Sequence, residues 1–96
     1  MTNFYLKKEF QMAFTVKIAN KAQKELKKVS PPYQQKIIKA VKELALNPMP
    51  IGVKKLKGRL NEYRVRVADY RIIYEIHDSE MIILVVKVGH RKAIYK

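Results

Sequence analysis

Between Tyr63 and Tyr95 the chain sets basic side chains among apolar ones at regular intervals: Arg64 and Arg66, then Arg71, then Lys87, and past Gly89 the pair Arg91 and Tyr95. Period-two alternation sends Tyr63, Val65 and Val67 to one side of a strand and Arg64 and Arg66 to the other. The next run sends Tyr70, Ile72, Tyr74 and Ile76 one way and Arg71, Ile73 and Glu75 the opposite way. Only Ala68-Asp69 separates the two runs, so a tight hairpin pairs Val67 with Tyr70 and Arg66 with Arg71. Two arginines directly opposite each other repel, a pairing that a sheet built only for stability avoids. Guanidinium groups gathered on one face suit planar, bidentate contact with phosphate oxygens.

The turn at Asp78-Ser79-Glu80 is read from the same pattern. A two-residue loop would put Lys87 on the apolar face. A three-residue loop instead pairs Ile76 with Ile82, Ile72 with Val86 and Arg71 with Lys87, which keeps the lysine out of the core. Arg64, Arg66, Arg71 and Lys87 then share one sheet face, within reach of Arg91 and Tyr95. In this register Ile73, Ile83 and Val85 fall on the cationic face, as an apolar floor for a stacked base or a seat for a protein segment. Tyr63, Tyr70 and Tyr74 point to the other side as core. Charge alternation ordinarily marks a solvated face. Against that, Glu75 is the one clear acid facing four cations.

The formal net charge is +13, which points to an anionic partner, with nucleic acid ahead of an acidic protein or a membrane surface. Residues 12–55 carry ten lysines against Glu25 and Glu43, whereas every arginine lies further on. Lysine suits diffuse phosphate attraction, so Lys24, Lys27, Lys28, Lys54, Lys55 and Lys57 are read as docking residues for RNA, with Lys87 and His90 nearer the arginines. There is no Gly-rich phosphate loop, H-E-x-x-H or G-x-S-x-G motif. Two histidines, no cysteine and no carboxylate pair leave no evident metal site, so any phosphodiester cleavage here is expected to need no metal and no cofactor. The remaining route is attack by RNA's own 2′-hydroxyl on the adjacent phosphate, with guanidinium groups stabilising the charge that develops on its oxygens.

These side chains need a scaffold. Ala13–Ala19 alternates as a first strand. Asn20 reads as an N-cap with Gln23 completing a capping box, and Ala22, Leu26 and Val29 line the inner face of that helix. Ser30-Pro31 opens a second helix running to about Leu46 and burying Tyr33, Ile37, Val41 and Leu44. Asn47-Pro48-Met49-Pro50 ends it, and Ile51–Asn61 reads as a loop. The fold class is α+β, in the order β-α-α-β-β-β, with a helical hairpin on one face of an antiparallel sheet. One domain spans residues 12–96, and residues 1–11 are expected to be a flexible extension or a misassigned start. No apolar run approaches a bilayer span and no signal peptide is evident, so a cytoplasmic location without membrane contact is expected.

The ordered set Lys55-Leu56-Lys57-Gly58, Arg64-Val65-Arg66, Tyr70-Arg71-Ile72-Ile73-Tyr74, Val88-Gly89 and the tail Arg91 to Tyr95 resembles the RelE branch of the RelE/ParE toxin superfamily over nearly the whole chain. The resemblance implies a ribosome-dependent endoribonuclease that cuts messenger RNA in the ribosomal A site and is held in a hetero-oligomer with a cognate antitoxin. It assigns catalytic roles to Arg64, Arg66, Arg71, Arg91 and Tyr95. In one departure, Arg64 stands where relatives often have a lysine proposed to move a proton. Arginine does not deprotonate, which leaves the base open between Tyr95 and His90. In another, the sequence ends at Lys96, where some relatives continue into a helix. Two alternatives stay open: a ParE-like toxin that binds DNA gyrase, and a non-catalytic RNA-binding domain of the same fold.

Overall fold

A computed structural model of the chain describes residues 13–58 and 60–90. Within them the order is β1 (Thr15–Ile18), α1 (Asn20–Lys27), α2 (Pro31–Leu44), β2 (Lys54–Lys55), β3 (Glu62–Val67), β4 (Tyr70–His77), a 3-10 turn at Asp78–Glu80, and β5 (Ile82–His90). The expectations for residues 1–11, Arg91 and Tyr95 lie outside the described residues. No helix among those described is long and apolar enough to cross a membrane.

The strands form one sheet in the order β1-β5-β4-β3-β2. From β2 to β5 it is an antiparallel meander, but β1 lies parallel to β5. The α+β layering is as expected; the sheet itself is mixed rather than wholly antiparallel. The chain reaches β5, the parallel partner of β1, only after both helices, β2 and the β3–β4 hairpin, since a parallel pair cannot be joined by a tight turn. The two-residue strand β2 also sits inside the stretch read as a plain loop. Gly58, just beyond it, has φ +72, where a residue with a Cβ is strained.

The helices bury one side of the sheet. Ile37, Val41 and Leu44 form a single stripe on α2 and meet Val65, Ile72, Tyr74, Ile76, Ile83, Val85 and Val88 in one core with Ala22 and Val29. Tyr33 departs from its expected burial, being 41% exposed. It stands in the first turn of α2 and packs its ring 5.7 Å from that of Tyr70 at the start of β4. The helix ends also differ in detail. Asn20 is the first residue of α1 rather than its cap, and no side chain caps that end. Gln23 instead donates its side-chain amide to the Ile18 carbonyl at 2.8 Å, tying the helix to the strand before it. The second helix stops at Leu44, two residues short of the expected end.

The β3–β4 hairpin has the expected register, Val67 opposite Tyr70 and Arg66 opposite Arg71. The β4–β5 register does not. Its turn takes four residues, because Met81 adopts a left-handed conformation with φ 57 after the 3-10 turn. Ile76 therefore pairs with Ile83 and Tyr74 with Val85, and a bulge at Val86 then sets Lys87 opposite Ile73 and Gly89 opposite Arg71. Ile83 and Val85 consequently belong to the helix-side core, fully buried, and not to the cationic face. Ile82 and Leu84 take that place, opposite His77 and Glu75. Without the bulge this register would set Lys87 opposite Ile72 in the core; the bulge returns it to the open face, the side expected, with a different partner.

Candidate functional site

The sheet face away from the helices is organised in rows that run across the strands. One row is Lys54, Arg64, Ile73 and Lys87, from β2 to β5. The next is Arg66, Arg71 and Gly89. Neighbours in such a row stand about 5 Å apart at the backbone, so five cations surround one isoleucine. Ile73 is only 5% exposed although it lies on the open side. Arg64, Arg71 and Lys87 are half-buried, and Lys54 and Arg66 are exposed. The Nε atoms of Arg64 and Arg71 are shielded from solvent, so these side chains lie along the sheet with apolar stems buried. Opposite Arg71, Gly89 offers backbone alone.

A third row, Glu62, Glu75, Leu84 and Lys17, borders this basic field. Glu75 is therefore not the only acid on the face; Glu62 stands directly opposite it. The period-two pattern, extended back two residues from Arg64, would have revealed it. At the far end His77 bonds its Nε2 to Glu75 Oε1 at 2.8 Å, with Nδ1 3.8 Å from Glu80 Oε1. Its position at the turn, four residues beyond Ile73, separates it from the arginines. Among the described residues, no cluster of three or more His, Asp or Glu could hold a metal ion.

The expected RNA-docking residues divide between the two layers. Lys54 and Lys87 join the arginines. Lys24 and Lys27 on α1 and Lys28 at its C-terminal cap are exposed, and α1 packs on β5 from the helix side, so they form a separate basic surface. The register of Lys55 with Tyr63 also places it on the helix side, and Lys57 is exposed beyond β2. His90 pairs with Tyr70, and its ring meets the Tyr70 ring edge-on at 5.8 Å. It thus lies on the helix-side face rather than with the arginines, because the bulge and its place in β5 give it the parity of Val88. Of the two residues left open as the base, His90 is off the face and Tyr95 lies outside the described residues.

Tyr74 is buried on the helix side, and its hydroxyl donates to the Pro48 carbonyl at 2.6 Å. Burial, with a smaller contribution from the neighbouring Tyr63, pushes its phenol well above the ordinary value. Tyr74 therefore holds the segment after α2 against the core and is unsuited to giving or taking a proton. A contact with no local signature in the sequence is that of Glu25, whose Oε1 accepts the Val88 backbone N–H at 2.9 Å.

Known proteins match this fold and this order of residues. The family model for the ParE toxin of the type II toxin–antitoxin system, parDE, matches residues 16–95. A Methanocaldococcus jannaschii protein carrying the name RelE1 is 33% identical over 88% of this chain and 98% of its own length. The mRNA interferase toxin RelE of Escherichia coli (strain K12) is 26% identical over 84% of this chain and 86% of its own. Among solved structures, the archaeal RelE–RelB complex from Pyrococcus horikoshii OT3 aligns with a TM-score of 0.75 at 28% identity, covering 85% of this chain and 99% of that one. With a family model spanning most of its length and archaeal and bacterial relatives aligned nearly end to end, the chain belongs to the RelE/ParE superfamily of toxins from type II toxin–antitoxin systems.

Proposed function

We propose that this toxin is a metal-independent endoribonuclease that cuts messenger RNA on the ribosome, and that a cognate antitoxin restrains it. The observation that carries the reading is the pair of adjacent rows, Lys54-Arg64-Ile73-Lys87 and Arg66-Arg71-Gly89, which gathers five cations on one face around an apolar centre. A phosphate placed over Ile73 would have a cation on either side, the Arg64 guanidinium and the Lys87 ammonium. As the 2′-hydroxyl oxygen bonds to the phosphorus, the bond to the 5′-oxygen breaks, giving a 2′,3′-cyclic phosphate and a free 5′-hydroxyl. Charge grows on the non-bridging oxygens, where fixed cations stabilise it most. One proton must leave the 2′-hydroxyl and one must reach the departing oxygen. In this proposal Arg91 and Tyr95 complete the site, Tyr95 handling a proton or stacking on a base. Arg64 remains charged and serves as a phosphate ligand.

The exposed lysines of α1 serve docking on ribosomal RNA, an attraction that acts through the +13 charge without reading sequence. The antitoxin partner is supported by the Pyrococcus neighbour, itself a toxin–antitoxin complex, and an acidic partner would complement the charge. The match to a ParE family model keeps a second reading, binding to DNA gyrase, in view. Induced expression separates the two. The nuclease reading expects translation to stop, with cuts only in messages under translation. Intact messages with inhibited DNA supercoiling would move the protein to the gyrase-binding class.

A further inference from the structure

Glu25 is one of two acids among the ten lysines of residues 12–55, and unlike those of α1 it turns inward. Its Oε1 accepts the Val88 backbone N–H at 2.9 Å, across 63 positions of sequence. Among the described residues, β5 has no strand neighbour on one side where this bond forms. β1 pairs only with Ile82–Val85, and the last link is Ala19 N–H to the Val85 carbonyl at 2.9 Å, after which the chain turns into α1. Just beyond, Val86 is the unmatched residue of the bulge. Among the described residues the end of β5 is therefore a strand edge next to an irregularity, the kind of segment that opens locally at low cost. Yet this end carries Lys87 beside Ile73 and Gly89 across from Arg71, and leads directly into Arg91.

We propose that Glu25 is a positioning residue for the cationic site: from the opposite side of the sheet, its carboxylate pins the last residues of β5 and so sets Lys87 and Gly89 relative to Arg71. A carboxylate on a backbone N–H is stronger than a neutral acceptor, and a site of this kind depends on its supports to within about half an ångström. The kinetic consequence rests on the nuclease reading, whereas the structural one does not.

The test compares the full-length wild type with Glu25→Ala, Glu25→Gln and Glu25→Asp. In Glu25→Ala the Val88 amide should exchange with solvent about tenfold faster or more, as expected for losing one charge-assisted hydrogen bond, while the Ile37 amide in α2 keeps its protection. Single-turnover cleavage on saturated ribosomes should fall by about the same factor, with the half-saturating ribosome concentration unchanged. Gln can still reach the N–H and should recover much of both losses. Asp keeps the charge but is one methylene short, and should behave like Ala; these two variants also carry the test if Ala does not fold. Unchanged Val88 exchange, or faster exchange with unaltered cleavage, overturns the proposal. A wild type that cuts nothing refutes the nuclease reading instead. The positioning role is then judged by titrating inorganic phosphate and following the Gly89 amide resonance. A response in the wild type that weakens in Glu25→Asp supports it, and an equal response in both, or none in either, overturns it.

Discussion

Arg66 and Arg71 lie directly opposite each other across the β3–β4 hairpin. The turn between them closes with Ala68 at φ 54, a conformation that glycine adopts more readily. A like-charge pair beside a strained turn is a local cost to the fold, on the same face as Arg64, Lys54 and Lys87. Anion binding would offset that cost, by placing negative charge between groups that otherwise repel.

Arg66→Gln should therefore separate stability from activity. Removing one member of the pair is expected to stabilise the protein by about 0.2–1 kcal/mol in urea denaturation. Single-turnover cleavage is expected to fall by about 10²-fold, the usual scale for losing one stabilising donor. A loss of both stability and activity would instead mark Arg66 as a structural residue.

Docking and chemistry should come apart on the two layers of the fold. Neutralising Lys24 and Lys27 on α1 and Lys28 at its C-terminal cap should weaken ribosome binding and lower its dependence on salt, since each lost phosphate contact removes up to about one released counterion. Arg71→Ala should leave affinity nearly intact and slow cleavage. If the lysine variant keeps both affinity and salt slope, the α1 surface is merely solvated.

Tyr95 is tested by two substitutions. Tyr95→Phe keeps the ring and removes the hydroxyl, whereas Tyr95→Ala removes both. Proton transfer is worth about 10²–10⁴-fold in rate, and stacking on a base about 1–3 kcal/mol. A chemical role predicts that Phe loses most of what Ala loses on saturated ribosomes. A stacking role predicts that Phe cuts like wild type and Ala engages the message more weakly. Wild-type cleavage by both variants would remove Tyr95 from the site.

Tyr74→Phe should cost about 1–2 kcal/mol, the hydrogen bond to Pro48 being lost while the ring still fills the core. Burial first, and Tyr63 second, hold the Tyr74 phenol above its ordinary value of 10.0. A folded-state value above the unfolded one means the neutral phenol favours folding. This contribution is whole below pH about 10 and declines above it, as the unfolded chain ionises. Wild type should thus lose stability in alkaline denaturation more steeply than Tyr74→Phe. Parallel curves for the two proteins would contradict that linkage.

The sequence by itself determined the parts that repeat within one element. Alternation placed Arg64, Arg66 and Arg71 on one side of their strands, the two-residue link set Arg66 against Arg71, and the spacing of Ile37, Val41 and Leu44 marked the buried stripe of α2. Tertiary structure decided what depends on how separate elements meet. Alternation sorts residues within a strand but carries no absolute register. The left-handed Met81 therefore sent Ile83 and Val85 into the core and exchanged them for Ile82 and Leu84 on the open face, and the bulge at Val86 then returned Lys87 to the open face. His90 went to the helix side with Val88 for the same reason. The parallel docking of β1 on β5, the entry of Lys54 into the row of Arg64, and the reach of Glu25 to Val88 join residues with no local pattern in common. Such contacts arise only when packing brings distant backbone and side-chain groups within bonding distance.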